Sequence, residues 1–440
     1  MQKEEIIIIG AGASGMMAAR ELVKEGYSVL VLEGRNRVGG RIHTLVNNEF
    51  SMPVELGAEF IHGTLPVTMQ LLKEAGIGII PMKGSTWQAR NGKISDEESF
   101  FADWNLLEST FRSLKKDMTI ADFITLYFND EKHAALRAAI RGFAEGYDAA
   151  DTHKASVFAL REEWLNEEES TNYRVNGGYG KMMQFLEDEC VKGGAIIQLN
   201  AVAKEIRWEQ NQVTVICKSG QQFKGAKIII TVPLGVLQQS ASGESALSFI
   251  PPLPEKSAAI ANMGFGSVIK VLIEFNKSFW KSIALKKHFG KNADELSFLI
   301  SDAAIPTWWT QHPEQNALLT GWLAGPSSEK WKDANDELIF QQALDSLAAI
   351  FPLTKSKLKE MIISWRVVNW NGDLFALGAY AYTTLDSAHS IELLNDTEAG
   401  TIFFAGEAFY AGPSMGTVEA ALITGSNVSK RILEIGKSSF

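Results

Sequence analysis

Only two cysteines, Cys190 and Cys217, stand in 440 residues, without a CxxC spacing. That excludes a disulfide framework and a cysteine-built metal site, and it fits a reducing compartment. Proline is sparse, 12 against 37 glycines, and no low-complexity run or short repeat period breaks the chain. Disorder and a solenoid are therefore disfavoured. No apolar run reaches membrane length, and no basic region, apolar stretch and cleavage site precede the strand-like run at 6–9. A cytoplasmic protein without membrane attachment is the expectation. Basic residues are outnumbered, 42 against 52 acidic, for a formal charge of −10. This disfavours nucleic acid and anionic membrane as partners and weakly favours cationic ligands through long-range steering.

What is present is a chain too long for one ordinary core, so two interleaved domains are expected. The run Ile6 to Ile9, the glycine turn Gly10 to Gly15, a helical stretch from Met16 to Lys24 stopped by Gly26, and the run Ser28 to Leu32 form a βαβ unit with parallel strands. From about 81 to 175 helical spacing takes over. Alternating apolar runs then resume at 195–199, 202–208, 212–217 and 227–232, and an apolar strand at 401–405 precedes a helix from about Thr417 to Ile435. The expected division is a discontinuous first domain of residues 1–80, 176–262 and 371–440. A second domain comprises 81–175 and 263–370 and includes a helical insert.

Gly10, Gly12 and Gly15 fall as GxGxxG between strand and helix, with Ala13 and Ser14 inside the turn. Such glycines let backbone approach a pyrophosphate and aim the helix N-terminal N–H groups at it. Glu33 ends the second strand about twenty residues on, where a carboxylate can accept from ribose hydroxyls. An acid at this point argues against a 2′-phosphate. These residues alone leave FAD and NAD both open. In the next segment Gly39 and Gly40 allow close passage, while Arg35 and Arg41 offer forked donors suited to phosphate.

Gly34, Arg35, Gly39, Gly40 and Arg41 lie in a stretch that resembles the motif of the flavin-containing amine oxidase superfamily, with Gly34 as the one departure. The resemblance implies FAD, and with it a fold of the α/β class, a Rossmann-like FAD-binding domain (GR2-type) interleaved with an α+β substrate-binding domain. Further matches run along the chain. Leu56, Gly57, Ala58 and Glu59 resemble the turn beside the flavin ring, and Val202 the valine whose backbone meets the adenine. Residues 228–237 form another family stretch. Gly406 and Glu407, then Gly416, Thr417 and Val418, resemble the C-terminal flavin motif, where a helix start would face the flavin pyrimidine edge.

For catalysis the resemblance points to Lys270, His62 and Tyr380. Lys270 stands in the apolar run 264–275, where pattern alone fits an exposed edge-strand lysine equally well. The family places a lysine here, bridging through water to flavin N5. His62 lies in a segment similar to that of polyamine oxidases, four residues after the flavin turn. Gly378, Ala379 and Tyr380 match the place where mitochondrial monoamine oxidases carry a FAD-bonding cysteine and a cage tyrosine. Alanine cannot form that bond, so FAD is expected to be non-covalent, and Thr417 stands where the second cage tyrosine would be. Trp365 and Trp370 read as core, and the acidic run Glu162, Glu163, Glu167, Glu168 and Glu169 reads as a solvated face. The expected reaction is hydride transfer from a primary or secondary amine to flavin. Hydrolysis of the imine follows, and oxygen is reduced to hydrogen peroxide. No anchor for a substrate carboxylate is visible. The rivals are FAD-dependent carbon–carbon desaturation on the same fold, and a FAD-bound scaffold whose task is partner binding. No metal is expected, and a homodimer is kept open.

Overall fold

The computed structural model describes residues 5–90, 93–95, 103–166, 171–240, 242–289 and 293–438. Four-residue runs of Ile, Val and Leu, buried on both faces, suit strands in the middle of a parallel sheet. Ile6–Ile9 and Val29–Leu32 are two such runs, and every residue in them is buried. They sit in a five-stranded parallel sheet whose order is Ile196–Gln198, Val29–Leu32, Ile6–Ile9, Lys227–Ile230, Ile402–Phe404. The first helix, Ala13–Lys24, packs between this sheet and two others, Gly180–Lys192 and the last helix, Val418–Ser438. Small residues permit that approach. At Gly425 a Cβ would stand 2.3 Å from the Ser14 carbonyl oxygen.

A second sheet has seven strands, in the order Ile362–Asn369, Val268–Phe275, Leu318–Ala324, Thr307–Trp309, Leu296–Ser301, Ser85–Arg90, Lys93–Ser95. A cluster of four helices, Trp104–Ser113, Ile120–Tyr127, Ala134–Gly146 and Val157–Asn166, closes over its own core of Phe111, Phe123, Phe128 and Trp164.

One expectation is corrected here. The helical reading of 81–175 misses the strand Ser85–Arg90, which pairs in parallel with Leu296–Ser301 more than 200 residues away. Of the two readings open for Lys270, the exposed edge strand is excluded. Val268–Phe275 is flanked on both sides, and all eight of its residues are buried. Of the acidic run, Glu162 and Glu163 lie on the helix Val157–Asn166, while Glu167, Glu168 and Glu169 lie outside the described residues.

Candidate active site

The glycine turn is built by close approach. Gly10 has φ +108°, and the Thr231 hydroxyl donates to the carbonyls of Ile9 and Gly10 at 2.8 and 3.0 Å. A Cβ on Gly15 would lie 2.0 Å from the Gly10 carbonyl, so only glycine fits. Beyond Gly12 a Cβ would meet nothing within 4 Å, leaving open space before the helix N-terminus. Glu33 accepts from the backbone N–H groups of Ala11 and Arg35, both at 2.8 Å, so its carboxylate braces the turn. Ala13 is buried, and the Ser14 hydroxyl faces Thr424 of the last helix at 3.4 Å. Val202 lies beside this corner, since Asn200 and Ala201 donate to the carbonyls of Arg35 and Glu33.

In the arginine-rich loop Arg35 gains a partner from far along the chain. Its fork closes on Asp373, at 3.0 and 2.5 Å, and lies over the Phe375 ring. Arg35 is thus held by an ion pair with a residue 338 positions away, which no local pattern announces. Gly34 has the same cause: a Cβ there would stand 2.8 Å from the Phe375 ring. Arg37 instead holds the loop together, donating to the carbonyls of Val38, Gly40 and Ile42. Burial, followed by the neighbouring Arg35 charge, lowers its pKa to about 10. Gly39 donates to the Ala11 carbonyl, and Gly40 packs on the Cα of Gly12. Arg41 donates to Glu407 at 2.7 Å and to the Ala379 carbonyl at 2.5 Å. Gly406 meets Thr424 of the last helix. The Thr417 hydroxyl accepts from Ala420 N–H and donates to the Ser414 carbonyl, capping that helix, with Gly416 (φ +82°) before it and Val418 against the core.

The turn at Leu56, Gly57 and Ala58 passes directly under Arg41. A Cβ on Gly57 would come within 1.7 Å of the Arg41 carbonyl, to which Ala58 also donates. Trp370, expected as core, is buried, and its indole N–H donates to the Leu56 carbonyl at 3.0 Å. The Lys270 side chain, 1% exposed, reaches this turn from the seven-stranded sheet. Its ammonium donates to the carbonyls of Glu55 (2.7 Å) and Gly57 (3.3 Å) and to Glu59 Oε2 (2.7 Å), over the Trp309 ring at 5.4 Å. The Glu59 side chain therefore turns inward onto Lys270. Its Oε1 accepts from Arg174 Nε, Trp309 Nε1 and Gln311 Nε2 at 3.0–3.2 Å. Burial opposes the charge of Glu59, but Lys270 and Arg174 outweigh it and bring the carboxyl down to about 2. Glu55 is the reverse case. Burial raises it to about 7, against hydrogen bonds from Tyr179 N–H and the Thr44 hydroxyl and the Lys270 charge.

An aromatic wall stands beside this turn. Tyr380 donates its hydroxyl to the Tyr147 carbonyl and lies near-parallel to Trp322, with ring centroids 6.5 Å apart. The Tyr147 hydroxyl meets His62 Nδ1 at 3.3 Å, and their rings meet edge-on at 5.6 Å. His62 and Tyr147 are open to solvent yet walled by Phe60 and Phe143, so they line a recess. Burial lowers the imidazole from its usual value, opposed by Asn172, and burial raises the Tyr380 phenol well above its own, helped by the Asp148 charge. The sequence pattern did not single out Tyr147, Trp309, Gln311, Trp322 or Arg174, which reach the site from elements remote in sequence. Trp365 stacks on Phe340 at 4.1 Å, away from the wall. Among the described residues no group of three or more His, Cys, Asp or Glu is placed to hold a metal.

A family model described as flavin containing amine oxidoreductase matches residues 13–433. The chain belongs to that family. FAD is the cofactor of this flavin amine oxidoreductase, and amine oxidation fits better than carbon–carbon desaturation. Polyamine oxidase 2 of Arabidopsis thaliana is 25% identical, with 98% of this chain and 89% of that protein covered. Lysine-specific histone demethylase 2 of Homo sapiens is also 25% identical, covering 92% of this chain but 50% of that protein. Among solved structures, putrescine oxidase bound to putrescine superposes with a TM-score of 0.78 at 20% identity, covering 98% and 99% of the two chains. Cyclohexylamine oxidase from Brevibacterium oxydans IH-35A gives 0.78 at 19%, covering 99% and 100%. These two show the fold.

The residues of this amine oxidoreductase suit FAD. The open space at Gly12 would admit a pyrophosphate against the helix N–H groups, which the positive end of the helix favours. The Glu55–Ala58 backbone turn, jammed between Arg41 and Trp370, would give a flavin a fixed edge.

Proposed function

We propose that the substrate is an amine without a carboxylate, entering through the recess lined by His62, Tyr147, Tyr380 and Trp322. The observation that carries this is the wall itself: four aromatic or heteroaromatic rings flank the turn that holds Lys270, and that turn presents no free guanidinium. Arg174, Arg35 and Arg41 are all engaged with carboxylates. A carboxylate on the substrate would thus find no forked partner, whereas an amine gains from aromatic faces on either side.

Bound FAD supplies the two-electron acceptor. The chain's residues position and desolvate. Tyr380 and Trp322 orient the nitrogen, and the apolar ring surfaces favour its neutral form over the ammonium. His62, with its lowered pKa, is uncharged at neutral pH and does not repel an incoming cation. Ala379 offers no nucleophile, which keeps FAD non-covalent. Lys270 presents a fixed positive charge at the flavin turn. Oxygen is the acceptor that the family implies.

A di- or polyamine is favoured within this class. Asp148 follows Tyr147, and burial together with the charge of Glu163 raises its carboxyl well above the usual value. A second ammonium beside Asp148 would offset that penalty and draw the carboxyl into its charged form. The names of the polyamine and putrescine oxidases among the relatives point the same way.

The test is anaerobic mixing of the FAD-loaded protein with spermine, spermidine, putrescine, an arylethylamine, a cyclic amine and an L-amino acid, following the loss of flavin absorbance. Rapid bleaching by the di- and polyamines, restored by air with peroxide release, is expected. Bleaching by the amino acid alone would overturn the reading.

A further inference from the structure

An ammonium has three donors and no acceptor, and a carboxylate has two acceptor oxygens. Both inventories are filled at one buried contact. Lys270 spends its donors on Glu55 O, Gly57 O and Glu59 Oε2, and Glu59, 7% exposed, receives four hydrogen bonds in all. Arg174 is anchored in turn on the Thr310 and His312 carbonyls. A side chain that only neutralised Lys270 would not need Trp309, Gln311 and Arg174 to hold its other oxygen. We propose that Glu59 is a positioning residue: it fixes the Lys270 ammonium against the Glu55 and Gly57 carbonyls and sets the net positive charge that this turn presents to FAD.

The nearest charges are Lys270 and Arg174, positive, and Glu59, negative; Glu55 also senses Lys270 and Glu59, its carboxyl raised by burial to about 7. The near three sum to one positive charge. Removing Glu59's charge leaves two, and removing that of Lys270 leaves none. In a dry site such changes act on a nearby redox group with little screening. The two single changes must then act in opposite directions on the ease of flavin reduction, and the double change must restore it.

The proposal rests on the reading that FAD lies along this turn, and the experiment separates the two. The reduction potential of the bound flavin is measured by dye equilibration, without any amine, for wild type, Glu59→Gln, Lys270→Met and the double variant. The expected result is a more positive potential for Glu59→Gln, a more negative one for Lys270→Met, and a value near wild type for both together. If Lys270→Met shifts the potential and Glu59→Gln does not, or shifts it the same way, the role of Glu59 is refuted while the site stands. If neither shifts it, the placement of FAD falls as well. Should Glu59→Gln fail to hold FAD, the double variant, with its charge rebalanced, should hold it, and failure of both overturns the proposal.

Discussion

Glycines at the cofactor turn do different jobs, and two substitutions separate them. At Gly12, φ is −77° and a Cβ would meet nothing, so Gly12→Ala should fold with unchanged melting behaviour. It should lose about tenfold or more in FAD affinity, because the methyl occupies the approach of the pyrophosphate. Gly15→Ala drives a methyl into the Gly10 carbonyl and should lower the melting temperature of the cofactor-free protein itself. Thermal melts with and without added FAD distinguish them. Gly34→Ala, which would restore the family pattern, should cost about 1–3 kcal/mol in urea unfolding through the clash with Phe375, with Phe375→Leu relieving part of it. The glycine roles were legible because close approach leaves only one residue type. The Arg35–Asp373 pair was not, since a forked cation does not announce in sequence a partner 338 positions away. Glu59 was legible only as a neighbour of the turn, because its partners come from residues 115 to 252 positions away.

At the scale of elements, the last helix does more than close the sheet. Glu419 in its first turn, 1% exposed, accepts from the backbone N–H groups of Val67 and Thr68 and from the Thr68 hydroxyl, all at 2.7–2.9 Å. It thereby caps the first turn of the neighbouring helix Pro66–Glu74 and joins two helix N-termini through one carboxylate. Glu419→Ala should cost about 2–3 kcal/mol in urea unfolding, and Glu419→Gln less. Periodicity found the elements of the parallel sheet to within a residue or two, because each is a short apolar run between turn residues. It missed Ser85–Arg90, whose burial follows only from the partner strand supplied much later in the chain.

For the whole molecule, Glu55 and Glu59 give stability opposite pH dependences. Glu59 favours the folded state when ionised, a contribution complete above about 4.5 and lost on acidification toward 2. Glu55 favours it when protonated, a contribution complete below about 4.5 and lost as pH rises to about 7, roughly 3 kcal/mol from the size of that shift. Glu55→Gln should accordingly compare better with wild type at pH 8 than at pH 5, read as the difference in melting temperature. Turnover of an amine should rise with pH over the range in which the bound amine loses its proton. The family and cofactor were legible from motifs spread over the full length, as were His62 and Tyr380 of the substrate wall; Tyr147 and Trp322 were not, because the wall draws its four rings from four separate stretches of chain.

The parallel sheet has one strand left to add when the ribosome has released Lys227–Ile230: Ile402–Phe404 pairs with its outer side. At ~5–20 residues per second, that apolar edge waits roughly ten to thirty seconds for its neighbour. A bare edge of isoleucines is a template for unwanted pairing with other chains. Yield on overexpression should therefore depend on chaperone supply and temperature during synthesis more than on the stability of the finished protein.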